Sequence, residues 1–170
     1  MRVLFAVNSN GLGHATRCIP LIKAMIAQGH QVSIISNNRA LDFLKQNFKS
    51  EIKHYITLAD YSLPNKFFTK KHVSIRRFMI NVPLYLKEIG EEHLRFMRIQ
   101  KRYKFELIIS DTRFGVYDNR VPSYLIDHHI KVGLSGFFIH IDIMSELALV
   151  AVKQKFDSLL IPDFERKSLG

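Results

Sequence analysis

The sequence is poor in cysteine, with one residue, and has no tryptophan. Because a disulfide needs two thiols, Cys18 alone excludes an intramolecular disulfide framework and a cysteine-rich zinc site. A single cysteine is typical of a protein from a reducing compartment, so we expect a cytoplasmic location.

Long hydrophobic runs are also missing. The first apolar run, Val3 to Val7, is shorter than the hydrophobic region of a signal peptide, and a glycine-containing loop follows it. This pattern indicates a buried first strand. No stretch approaches the roughly 20 apolar residues that a membrane-spanning helix needs. We therefore expect at most a peripheral contact with the inner face of the membrane.

Acidic residues are scarce: 15 Asp and Glu stand against 25 Lys and Arg, which gives a formal net charge of +10. Such an excess favours anionic partners, namely nucleic acid, anionic lipid surfaces or phosphorylated ligands. The imbalance is strongest between residues 63 and 87, where no acidic residue occurs and basic residues alternate with aromatic ones.

This basic and aromatic segment suits an anionic membrane surface or a lipid-linked acceptor. Stacking on RNA bases is a less favoured alternative, and we expect no nucleic-acid partner. An ordinary loop and helix, with aromatics in the core and lysines in water, would have the same composition. The predicted membrane or acceptor contacts are Phe67, Phe68, Lys70, Lys71, Arg76 and Arg77.

Strand-like and helix-like segments alternate along the chain, and the strand-like segments are apolar throughout. Together they predict an α/β fold with a Rossmann-like parallel sheet and helices on both faces. A length of 170 residues fits one domain. The predicted strands are residues 2–8, 31–36, 51–56, 106–110, 123–126 and 158–161. The predicted helices are 14–28, 39–48, 73–103 with a break or kink at Pro83, and 131–156.

The first loop, NSNGLGHATR, places Gly11 and Gly13 between a strand and a helix. Ligands of parallel sheets bind beyond the carboxyl ends of the strands, and a helix N-terminus there can bind an anion. Glycines allow a tight turn and close approach to a ligand. The loop matches neither the dinucleotide fingerprint nor a Walker motif. A tight connection without a ligand is the alternative.

His14 and Arg17 lie three residues apart in the first helical turn, so they share one face. A cation at a helix N-terminus opposes the macrodipole, and an anionic ligand would account for Arg17. Histidine is the side chain type whose reference pKa lies nearest neutrality, so a histidine at position 14 suits a general base, although a turn-forming role is the alternative.

A second polar cluster follows the later strands. A carboxylate near a histidine can orient its tautomer, so this cluster is a second candidate site. For Asp111 the alternative is an N-cap of the following turn. A metal is not expected, because adjacent histidines seldom point the same way on an extended chain. The members are Asp111, Arg113, Asp127, His128 and His129.

Three segments resemble one family. The stretch GLGHATRCIPLIKAMIAQGHQVSIIS is similar to the opening of MurG-related glycosyltransferases and their uncharacterised archaeal and bacterial relatives. ELIISDTRFGVYDNRVPSYLIDHHI resembles the same group, which has an Asp after the fourth strand and His-Gln after the fifth. FDSLLIPDFERKSLG resembles its passage out of the first domain.

The resemblance implies a GT-B fold in two halves. Residues 1–162 would form the Rossmann-like N-terminal domain on the acceptor side. Residues 163–170 would begin the interdomain linker, with the C-terminal donor domain absent. The implied reaction is transfer of a sugar from a nucleotide-sugar to an acceptor hydroxyl, without a metal or a further cofactor.

The resemblance also implies functional roles for the residues of this sequence that match the family's motifs. It implies that the glycine loop and His14 contact the acceptor or the donor diphosphate. Asp111 and His128 match family positions, whereas His129 replaces the family's Gln. Taken with the residue-level reasoning, the predicted catalytic residues are His14 and Asp111. The predicted substrate- or phosphate-binding residues are Gly11, Leu12, Gly13, Arg17, Arg113, His128 and His129.

Two other functions remain open. A sugar-nucleotide 2-epimerase shares the two-domain architecture, and a basic module that binds membranes or nucleic acid needs no catalysis. For a transferase, we expect the missing half in cis or in trans and no activity without it. Apolar surface exposed where that half would sit makes a homo-oligomer a further expectation.

Overall fold

A computed structural model describes residues 1–61, 75–127 and 150–162, with the backbone alone for residues 75–82. Its strands are β1 (Arg2–Val7), β2 (Gln31–Ser36), β3 (His54–Thr57), β4 (Leu107–Asp111), β5 (Ser123–Ile126) and β6 (Ser158–Leu160). Its helices are α1 (Leu12–Ala27), α2 (Asn38–Phe48) and α3 (Ile75–Tyr103).

The six strands form one parallel sheet in the order β3-β2-β1-β4-β5-β6. The chain runs outward from β1 to β3 and then returns to the other side of β1 with β4. The strand order therefore reverses between β1 and β4. Crevices at such reversals, outside the carboxyl ends of the strands, are where open α/β sheets bind ligands.

Alternate side chains of β1 enter two different cores. Val3, Phe5 and Val7 pack with the buried residues of α1 and α2. Leu4 and Ala6 pack on the opposite face with residues of α3 and β4. The helices therefore cover both faces of the sheet, which confirms the predicted fold class.

Several elements differ from the predicted ones, mostly by one to three residues at their ends. Helix α1 begins at Leu12, before the predicted residue 14. Strand β3 begins at His54 rather than at residue 51. The helix is not broken at Pro83, because α3 continues through it, and a kink there stays a prediction. Packing of later residues such as Phe96 on the sheet outweighs the loss of one backbone hydrogen bond at proline.

Of the predicted helix 131–156, the structure describes only the end, where residues 150–153 are helical. Within the described part of the chain, no helix is long and apolar enough to cross a membrane.

Candidate functional site

His14 and Asp111 meet at the reversal of the strand order. His14 lies in the first turn of α1, just after β1, and Asp111 is the last residue of β4. Val7 and Asp111 are partners in the register of these two strands. The structure thus brings together two residues that are 97 positions apart in the sequence.

Asp111 is the acceptor at the centre of this site. Its side chain is 1% exposed. The Nε atom of Arg17 donates to Oδ2 at 2.6 Å, and Nη2 of the same guanidinium donates to Oδ1. His14 Nδ1 lies 2.9 Å from Oδ1, and the Sγ–H of Cys18 donates to Oδ2 at 3.4 Å. A buried carboxylate is thereby bound by one permanent cation, one histidine and one thiol.

The protonation of these groups follows from the pairing. Burial would raise the pKa of the Asp111 carboxyl, but hydrogen bonds from Arg17 and His14 outweigh it and lower that pKa. Burial opposes the charge on Arg17, whose pKa is nevertheless raised by Asp111. Burial raises the pKa of the Cys18 thiol well above its ordinary value, and the charge of Asp111 adds to this. Asp111 and Arg17 are therefore ionised, and Cys18 is a thiol.

Besides the Thr112 hydroxyl, which is 3.4 Å away, the Nδ1 atom of His14 has two closer and competing neighbours. It lies 2.9 Å from Asp111 Oδ1 and 2.7 Å from Arg17 Nη2. An Nδ1–H would donate to the carboxylate, whereas a bare Nδ1 would accept from the guanidinium. A carboxylate is the stronger acceptor, so we assign the proton to Nδ1. In that tautomer Nε2 has the lone pair that can accept a proton.

Thr112, next to Asp111, has a strained backbone with φ of +51°. A β-branched residue in this region is uncommon and costs energy. Hydrogen bonds hold it in place, since its N–H donates to Ile126 O at 3.1 Å and its carbonyl accepts from Asn8 Nδ2 at 3.4 Å. The left-handed turn thus fixes the backbone directly after Asp111. Strain of this kind clusters at functional sites.

The glycine loop, which we define as residues 8–11, leads into α1. Gly11 is the N-cap residue with φ of +89°, a conformation that favours glycine. Among the described residues, no side chain caps this end, and the first turn of α1 contains no acidic residue. Apart from the adjoining backbone, no atom in the part of the chain that the structure describes lies within 4 Å of a Cβ built on Gly11 or Gly13. Leu12 is exposed beside them.

Arg113 faces the interior, although the sequence placed it among the phosphate-binding residues. Its side chain is 1% exposed. Its Nε donates to Glu92 Oε1 at 2.9 Å, and its Nη1 donates to Asp60 Oδ1 at 3.0 Å. Its Nη2 donates to the carbonyls of Leu58 and Ala59 at 3.0 and 2.7 Å. The phosphate-binding role of Arg113 stays a prediction, and these inward contacts give it a structural role.

Asp127 lies at the carboxyl end of β5 and is also buried. Its carboxylate forms an ion pair with Lys153 Nζ at 2.7 Å. Six other predicted site residues lie outside what the structure describes. They are His128, His129, Phe67, Phe68, Lys70 and Lys71, and for Arg76 and Arg77 only the backbone is described.

The sequence patterns did not single out Asp60, Glu92, Cys18 or Thr112. Asp60 had a usable signal, because it is the single acidic residue in the stretch of sequence from 57 to 72, which follows the predicted third strand. Glu92 and Cys18 occur within helices and become part of the network only through tertiary contacts. Within the described ranges, no group of three or more His, Cys, Asp or Glu could hold a metal ion.

The sequence was compared with models of known protein families. A family model described as glycosyl transferase family 1 matches residues 1–129, which include β1 to β5 and the whole His14–Asp111 site. The match covers well over half of the 170 residues. The chain belongs to glycosyl transferase family 1.

A curated relative of this family 1 chain is an uncharacterized glycosyltransferase of Methanosarcina mazei. It is 20% identical over 176 aligned residues, which cover 96% of this chain and 44% of the relative. The resemblance to MurG-related GT-B enzymes is confirmed at the level of the family.

Solved glycosyltransferases have the same half-domain fold. MurG of Acinetobacter baumannii has a TM-score of 0.54 and 11% identity, covering 99% of this chain and 43% of MurG. Spinosyn rhamnosyltransferase SpnG complexed with thymidine diphosphate has a TM-score of 0.56 and 15% identity, covering 100% of this chain and 48% of SpnG. The glycosyltransferase SnogD from Streptomyces nogalater has a TM-score of 0.53 and 13% identity, covering 96% of this chain and 44% of SnogD. These identities establish the fold alone.

The family 1 chain therefore has the Rossmann-like fold of a GT-B N-terminal half. It spans less than half of the length of the four relatives described above, between 43% and 48%.

Proposed function

We propose that this chain is the acceptor-side half of a GT-B glycosyltransferase, which transfers a sugar from a nucleotide-sugar to an acceptor hydroxyl. One observation carries the proposal: in a family 1 fold, His14 Nδ1 lies 2.9 Å from the buried Asp111 carboxylate at the point where the strand order reverses. A histidine oriented by a carboxylate is a general base in many transfer reactions.

In the proposed reaction, Asp111 holds the Nδ1–H of His14, and Nε2 takes the proton of the acceptor hydroxyl. The acceptor oxygen bonds to the anomeric carbon of the donor while the bond from that carbon to the diphosphate oxygen breaks. The electron pair leaves with the diphosphate. Asp111 stabilises the imidazolium that forms, because its own carboxyl stays ionised beside Arg17.

The leaving diphosphate would lie at the N-terminus of α1. Leu12 and Gly13 offer backbone N–H groups there, while the Gly11 N–H donates to Ser9 O and Gly11 forms the turn. The helix dipole also favours an anion at this end. The N-cap residue is a glycine, which has no side chain to cap this end, and the first turn of α1 contains no acidic residue; both features support this placement. Arg17 contributes by holding Asp111 ionised.

We propose that a donor-binding half is required, in cis or in trans, because the chain spans less than half of its relatives. A nucleoside diphosphate-sugar is the proposed donor, and SpnG, solved with thymidine diphosphate, supports that class. The basic and aromatic segment 63–87 would contact the acceptor, or an anionic membrane surface that carries it.

The decisive experiment compares His14→Ala with His30→Ala in the complete transferase. His30 lies in the turn between α1 and β2, at the amino ends of the strands and away from the site. We expect His14→Ala to lower kcat by about 100-fold or more, because a positioned base contributes that much, and His30→Ala to leave kcat unchanged. Release of nucleoside diphosphate from uridine- and thymidine-diphosphate sugars measures the rate.

An unchanged kcat in His14→Ala would rule out the proposed base. Mass spectrometry of the acceptor together with NMR spectroscopy of the sugar separates the two enzyme classes. Transfer adds the mass of one sugar to the acceptor, whereas 2-epimerisation inverts one carbon of the sugar without changing its mass. Epimerised donor with no glycosylated acceptor would replace the transferase proposal.

A further inference from the structure

Asp60 connects the glycine loop to the interior of the domain. Its Oδ1 accepts the Ser9 N–H at 3.2 Å, and its Oδ2 accepts the Ser9 hydroxyl. The same Oδ1 accepts Arg113 Nη1 at 3.0 Å. One carboxylate therefore contacts both the loop that precedes His14 and a buried arginine.

Arg113 is a fixed anchor for this carboxylate. It is held by Glu92 of α3 and by two carbonyls of the segment that follows β3. Glu92 is fixed in turn, since its Oε2 accepts the Gly115 N–H at 2.9 Å and the Tyr61 hydroxyl. These contacts involve no atom of the glycine loop.

Ser9 contacts the N-cap residue of α1. The Gly11 N–H donates to Ser9 O at 2.8 Å, and Gly11 is the N-cap of the helix that carries His14. The Asn10 N–H donates to Asn8 Oδ1 at 2.8 Å. A shift of Ser9 would therefore move the N-cap and the first turn of α1.

We infer that Asp60 is a positioning residue for His14: through Ser9 it fixes the glycine loop relative to the buried Arg113–Glu92 pair. Its importance for sugar transfer rests on the proposed function. The positioning itself is a property of the folded chain and can be measured without any substrate.

The test compares Asp60→Asn with Asp118→Asn. Asp118 is a buried carboxylate that also pairs with an arginine, Arg120, at 2.8 Å. It lies at the amino end of β5, where its N–H bonds to Ser123 Oγ, far from the glycine loop. Both changes keep the side-chain volume and remove one negative charge.

Two measurements follow the loop and the histidine. We expect the Ser9 amide of Asp60→Asn to exchange its hydrogen about tenfold faster, relative to β1 amides, because a charge-assisted hydrogen bond is lost. We also expect the ¹⁵N shifts of the His14 ring to move. Neither change is expected in Asp118→Asn. Ser9→Ala, which removes only the hydroxyl donor, should accelerate the exchange of residue 9 by about threefold and serves if Asp60→Asn does not fold.

Exchange and ring shifts equal to those of the unmodified chain, in both Asp60→Asn and Ser9→Ala, would overturn the inference. Equal changes in Asp118→Asn would also overturn it, because they would reflect general loosening of the fold. Neither readout requires a sugar donor, so this failure is separate from a failure of the proposed transferase activity.

Discussion

At the scale of single residues, the Asp111 carboxyl is subject to two opposing effects. Burial disfavours its charge, while Arg17 and His14 favour it, and the net result is a lowered pKa. Breaking a buried ion pair by removing one partner is costly, because the other charge is left uncompensated. Arg17 was expected to require an external anion, and Asp111 supplies an internal one.

This lowered pKa predicts how stability changes with pH. The unfolded chain binds the proton of Asp111 more readily, so the stability from this residue is present above about pH 4, its ordinary unfolded value, and is lost as the pH falls through the lower folded value. We expect Asp111→Asn to lower the free energy of unfolding by about 3 kcal/mol at pH 7. The gap between the two proteins should shrink below about pH 4.

Urea unfolding at pH 7 and at pH 3 checks this expectation. Asp42→Asn is the control, because Asp42 is exposed on α2 and its replacement should matter little at either pH. A gap of the same size at both pH values would contradict the assigned pairing of Asp111.

At the scale of elements, α3 is packed unusually closely on the loop that follows β4. A Cβ built on Gly115 would lie 2.6 Å from Ile89 O and 2.8 Å from Glu92 Oε2. A real Cβ cannot approach a backbone carbonyl so closely without displacing the helix or the loop. Glu92 also bonds to Arg113, so such a displacement would reach the buried network.

We therefore expect Gly115→Ala to destabilise the chain by about 2–3 kcal/mol through overpacking. The matched control is Gly90→Ala on the same helix. Gly90 is exposed, and among the described residues no atom lies within 4 Å of a Cβ placed there. The free energy of unfolding of Gly90→Ala should be about 0.5–1 kcal/mol higher than that of the unmodified chain, because alanine favours the helix more than glycine does.

Thermal unfolding of the two glycine variants measures both effects. Equal melting temperatures for Gly115→Ala and the unmodified chain would mean that α3 lies farther from the loop than the structure places it.

At the scale of the whole molecule, the site lies at the edge of a domain that spans less than half of its relatives. A donor that bridges two halves needs both of them to place its anomeric carbon against the acceptor. Positioning of this kind contributes a large part of an enzyme's rate.

We expect the isolated chain to transfer sugar more than about 1000-fold more slowly than the same chain supplied with its donor-binding half. Diphosphate release measured before and after adding that half checks the expectation. With the same half added, the His14→Ala chain should stay about 100-fold or more slower than the unmodified pair. Full activity of the isolated chain would show that no second half is required.

Local patterns were enough to predict much of the fold. Apolar, β-branched runs such as residues 31–36 predict buried parallel strands because such strands are covered on both faces. Gly11 between a strand and a helix predicts the turn, and the spacing of His14 and Arg17 predicts their common face. These features depend on neighbouring residues, and the structure contains them.

Only the tertiary structure decided which groups pair at the site. Asp111 meets Arg17 across 94 positions because β4 lies beside β1, and that strand order depends on the packing of the whole domain. Asp60 joins Ser9 to Arg113 for the same reason. Periodicity and spacing describe short-range geometry, whereas the partners of a buried charge are set by contacts between distant segments.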